Sequence, residues 1–83
     1  MDDMKVYVGV TVIFTTGGLM IPTAIHWEDG RIYQIARVKN VRSAFSLRAG
    51  RTCTRYTCVI EGKFTHLFYE GNQKWFVERK IKI

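Results

Sequence analysis

Two cysteines in 83 residues are too few for a disulfide scaffold, so the core of this chain has to come from ordinary apolar packing. No segment approaches the ~20 consecutive apolar residues that a membrane-spanning helix needs. The opening Met1-Asp2-Asp3-Met4-Lys5 lacks the basic n-region of a signal peptide. The long helical apolar pattern of a βαβ crossover is missing, as are a phosphate loop, an internal repeat and a linker. Acidic residues are scarce: 7 Asp and Glu stand against 13 Lys and Arg, for a formal net charge of +6. These absences argue against a helical membrane protein, a disulfide-rich secreted module and an α/β enzyme. They leave one cytoplasmic domain over residues 1–83, held away from membranes, with an anionic partner as the expectation.

What is present is period two. Val6, Val8, Val10, Val12 and Phe14 share one face of a strand from Lys5 to Phe14. Gly9 predicts a bend or bulge in it. Thr15-Thr16-Gly17-Gly18 reads as a turn, and Leu19 to Trp27 as a second strand, with Pro22 confined to an edge or bulge. Asp29-Gly30 predicts a type I′ hairpin. Arg31 to Val41 returns, with a bulge at Ala36-Arg37 because Val38 falls out of phase. Arg42 to Thr52 fits neither period and reads as a long loop. Thr54–Ile60, Lys63–Glu70 and a last strand from Trp75 follow, joined at Glu61-Gly62 and Gly71-Asn72-Gln73. The fold class is all-β: a small antiparallel barrel of five or six short strands. Trp27, Tyr33, Ile35, Tyr56, Cys58, Leu67 and Trp75 are the predicted core. Phe68 and Phe76 alternate with core positions and are expected to face outward, as lining of a groove or interface.

Several stretches carry a family likeness. Ile25-His26-Trp27-Glu28-Asp29-Gly30-Arg31-Ile32-Tyr33 resembles the opening of a family of small uncharacterised bacterial proteins. The likeness continues through Val38–Val41-Arg42, Ala44-Phe45-Ser46-Leu47-Arg48-Ala49-Gly50, Arg55-Tyr56-Thr57-Cys58-Val59-Ile60, Leu67-Phe68-Tyr69-Glu70 and Trp75-Phe76-Val77-Glu78. Arg51-Thr52-Cys53 depart from it, where that family is richer in glycine. The resemblance implies an SH3-like β-barrel and no activity. A looser likeness, in its Trp, Gly-Arg and Tyr-Glu rhythm, is to small β-domains appended to DNA-repair polymerases.

Candidate chemistry is thin. Cys53 and Cys58 on one extended strand would lie about 17 Å apart, too far for a disulfide. They also lack the close ligand pairing of structural zinc, even with His26 and His66 on strands that could neighbour one another. Cys58 reads as a small core residue and Cys53 as a loop thiol. No nucleophile–base arrangement surrounds either histidine. The expectation is therefore a chain with no catalytic residues, no metal and no cofactor.

The strongest signal is electrostatic. Arg37, Lys39, Arg42, Arg48, Arg51 and Arg55 fall within one window that holds no acid. Arginine's planar fork suits phosphate, so a non-enzymatic module that binds the nucleic-acid backbone is the favoured expectation. An acidic protein is the other anionic partner. The alternative is a protein-interaction or self-associating barrel, with a weak homodimer through an exposed Val6–Phe14 edge. For the cysteines, metal analysis of protein purified without chelator is expected to find no stoichiometric zinc. One equivalent, lost together with the fold on chelation, would overturn that expectation.

Overall fold

A computed structural model describes residues 3–46 and 49–80. Seven strands form one sheet: β1 (Asp3–Phe14), β2 (Met20–His26), β3 (Ile32–Gln34), β4 (Arg37–Ser46), β5 (Arg51–Ile60), β6 (Lys63–Gly71) and β7 (Lys74–Lys80). Their order is β3-β2-β1-β7-β6-β5-β4, every pair antiparallel. The sheet curls into a half-barrel. The all-β class is as expected, with seven strands rather than five or six. Among the described residues no helix is long and apolar enough to cross a membrane.

The extra strand arises where the phase slips. The expected single strand from Arg31 to Val41 breaks at Ile35-Ala36. The Ile35 amide donates to the Thr23 carbonyl of β2 at 2.9 Å, and the Ala36 amide to the Val59 carbonyl of β5 at 2.8 Å. The chain thus leaves one side of the sheet and joins the other, and the bulge itself sits at Lys39, two residues past the expected Ala36-Arg37. The expected loop from Arg42 to Thr52 is mostly strand: β4 and β5 pair from Arg37↔Val59 to Ser46↔Arg51.

Turn chemistry sets the register elsewhere. Glu61 and Gly62 both have positive φ, 51° and 77°, as a type I′ hairpin between Ile60 and Lys63 requires. The Asp29-Gly30 turn differs from the expected I′ form: of the two, only Gly30 has positive φ. The Gly30 amide bonds the Trp27 carbonyl, and the Trp27 amide bonds Arg31. That is a three-residue loop closed by a left-handed glycine. Pro22 lies beside a bulge at Thr23, opposite Thr11 and Val12.

β1 lies inside the sheet order and not at its end, yet each of its halves is paired on one side only, so the expected edge is present in part. Its Asp3–Val8 half pairs with β7 and its Gly9–Phe14 half with β2. Gly9 is the point of transfer: a Cβ there would come within 3.3 Å of the His26 Cβ.

Both faces of the sheet carry a core. The inner one gathers Val6, Ile25, Tyr56, Cys58, Ile60, Leu67, Trp75 and Val77. Trp27, Tyr33 and Ile35, expected in it, pack against it half-buried. The outer one is Phe68, Phe76 and Cys53, covered partly by Ala44 and Ala49. Phe68 and Phe76 do face outward, yet their rings stack at 5.0 Å and are buried, so they line no open interface. Cys53 is a buried strand residue, not a loop thiol.

The cost of truncation should follow this placement. Phe76→Ala is expected to destabilise by about 3–5 kcal/mol in urea unfolding, as a core phenylalanine does. Phe64→Ala, at a ring 70% exposed, should stay within about 0.5 kcal/mol. Equal effects would mean that the outer cluster is not packed.

Candidate nucleic-acid interface

Strand alternation puts the basic window on one side. Tyr56, Cys58 and Ile60 of β5 face inward, so Arg55 and its register partner Arg42 face outward. Arg37, opposite Val59, shares that face, and Lys39 stands exposed in the bulge beside it. Arg42 and Arg55 are directly opposed across the β4–β5 pair, an arrangement that costs free energy unless an anion or solvent screens it.

These cations are lightly engaged. The Arg42 Nε donates to the Asn40 Oδ1 at 2.9 Å, which holds the side chain along the β4 edge. The Arg55 Nε is buried with no hydrogen-bond partner. Among the described residues none of Arg37, Lys39, Arg42 and Arg55 forms an ion pair with a carboxylate. Arg48 lies outside the described residues.

Arg51 is different. It opens β5, and its guanidinium meets the Glu70 carboxylate at 2.7 Å. Glu70 is the centre of a small network that the sequence did not single out. It occupies a bulge in β6, and it accepts from the Tyr7 hydroxyl at 2.9 Å. The Lys5 ammonium is 3.7 Å away, over the rings of Tyr7 and Phe76. Its one visible signal was an acid at an outward position next to the turn at Gly71.

The two histidines are far apart in the sheet, on β2 and β6, rather than on neighbouring strands. The His26 Nε2 is 2.7 Å from the Thr11 hydroxyl. Desolvation and then the nearby Arg55 charge lower the pKa of His66, against an opposing pull from Glu78. Glu78 itself accepts from the Ser46 hydroxyl at 2.6 Å. Cys53 and Cys58 project from opposite faces of β5, so they cannot share a metal or a disulfide. Burial pushes the Cys58 thiol up to about 11. Among the described residues no group of three or more His, Cys, Asp or Glu could hold a metal ion.

No family model, curated protein or solved structure matches this chain.

Glu70 supplies a pH test of the outer face. Desolvation pulls its pKa up. The Tyr7 hydroxyl, Lys5 and Arg51 outweigh that and hold it below the ordinary 4.5. Its stabilisation is complete above the unfolded value and is lost as pH falls through the lower folded one. Glu70→Gln should therefore lower the melting temperature by roughly 5 °C near neutral pH. The variant and the parent should converge in acid below the folded value. A difference that persists there would point to packing instead.

Proposed function

We propose that this chain is a non-catalytic binding module whose outer β4–β5 surface engages the phosphate backbone of nucleic acid. The observation that carries the reading is the row of Arg37, Lys39, Arg42 and Arg55 on two adjacent strands, with no carboxylate partner among the described residues. Unpaired cations on a rigid sheet lose little freedom on meeting phosphates, and binding releases counterions. Arg51 contributes less, because Glu70 already holds it. In the same reading the half-barrel is an SH3-like domain of the small bacterial proteins it resembles, at work in the cytoplasm.

A second reading, a protein-interaction or self-associating barrel, draws on a different observation. Ile13, Phe14 and Leu19 are exposed at the β1–β2 hairpin, and the Gly9–Phe14 half of β1 keeps one edge unpaired. A weak homodimer would form there.

Salt separates the two. If about four cations reach phosphates, log affinity for single strands should fall against log salt with a slope near −3. Replacing Arg37, Lys39, Arg42 and Arg55 together with Ala should remove most of the binding, whereas Arg51→Ala alone should have little effect. Sequence preference should be weak, since backbone contacts carry no base information. If no short DNA or RNA binds tighter than millimolar at low salt, the protein-interaction reading takes over.

A further inference from the structure

The curl of the sheet brings two unpaired strand edges face to face. β4 ends the sheet, and along Val38–Ser46 its side away from β5 has no strand partner. Across from it, Met20–Pro22 of β2 pair with β1 on one side and with nothing on the other, because β3 covers only Ala24–His26. β2 and β4 touch without forming a ladder. Between them lies a groove of about 500 Å³, lined by Leu19, Met20, Pro22, Val38, Val41 and Tyr56 among others. Its floor is apolar, and two of its walls are open: Leu19 is 68% and Val41 51% exposed.

We propose that this seam is a slot for an extended segment of a partner protein, one in which apolar residues alternate with carboxylates, added as a strand to the free edge of β4. The backbone of β4 offers the hydrogen bonds and the groove offers the apolar pocket, the two requirements of strand addition. Pro22 has no N–H, so β2 forms a wall more than a second ladder. Side chains of an added strand alternate between faces. Those turned inward meet Val38, Val41 and Tyr56. Those turned outward lie beside Lys39 and Arg42, which have no carboxylate partner among the described residues.

The same charges argue against a second copy as the occupant. Two β4 edges brought together would set Lys39 and Arg42 of one chain near those of the other. A bulge and a lysine on an edge strand are common guards against self-pairing. Here both are present, and their sign admits an acidic strand. This inference does not depend on nucleic-acid binding, and it is tested with no nucleic acid present.

The test is an NMR titration of the full ¹⁵N-labelled chain with a capped seven-residue peptide alternating Glu and Val. Two controls run beside it: a Lys–Val alternating peptide, and a peptide of the same Glu and Val content with its valines in one block. Saturable binding is expected on the order of 100 μM, with amide shifts centred on β4 and Met20–Thr23 and slowed exchange of β4 edge amides. The Lys–Val peptide should not bind, and the block peptide should bind at least tenfold more weakly. Val41→Glu should also weaken binding at least tenfold. Leu19→Glu, at a more exposed position, should do the same and covers the case in which the Val41 variant fails to fold. No saturable shift up to millimolar peptide overturns the proposal. So does equal binding of the block peptide, or unchanged affinity in the folded variants.

Discussion

Two consecutive amides hold the two ends of this sheet together. Ile35 donates to β2 and Ala36 to β5, each the second strand from its end of the sheet order. Both bonds can form only if the sheet curls until those strands come within reach of one dipeptide. The curl then encloses Tyr56, Cys58, Leu67 and Trp75 on the inner face. Tyr56 adds a second tie, its hydroxyl reaching the Met20 carbonyl at 3.4 Å. Beyond the dipeptide β4 follows β5 and β2 follows β1, and the groove between their edges opens there.

A curled sheet in a chain of 83 residues has little interior to share. It gains a second apolar layer by burying Phe68 and Phe76 on the outer face, with Cys53, Ala44 and Ala49 packed against them. Glu70 and Glu78 rim that layer, each bonded to neighbours. Glu70 ties β1, β5 and β6 through Tyr7, Lys5 and Arg51, and Glu78 ties β7 to Ser46 on β4. The acids on this face are thus occupied in structure. Arg37, Lys39, Arg42 and Arg55 have no carboxylate partner among the described residues, which is the electrostatic basis of the proposed anionic partner.

The β4 edge is consequently where the two proposed binding surfaces meet. Its outward side chains face phosphates in one reading and carboxylates in the other. The apolar groove distinguishes them: a phosphate backbone has no use for it, whereas alternating side chains do.

Alternation of Val6, Val8, Val10 and Val12, and of Tyr56, Cys58 and Ile60, was enough to fix strands and faces, because a pleated strand sends successive side chains to opposite sides whatever it pairs with. The Glu61-Gly62 hairpin was equally legible, since its backbone angles are local. The out-of-phase Val38 marked the right neighbourhood, though not the break at Ile35-Ala36 or the bulge at Lys39. Burial of Phe68 and Phe76 was not legible, because an outward residue is covered only if another part of the chain folds over it. The same holds for Arg51, claimed by Glu70 nineteen positions away, and for β1, whose two halves pair with strands that follow it at very different distances in sequence. Local conformation is set by residues close in the chain; which cations stay free, and which edges stay open, depends on contacts that exist only after the sheet has curled.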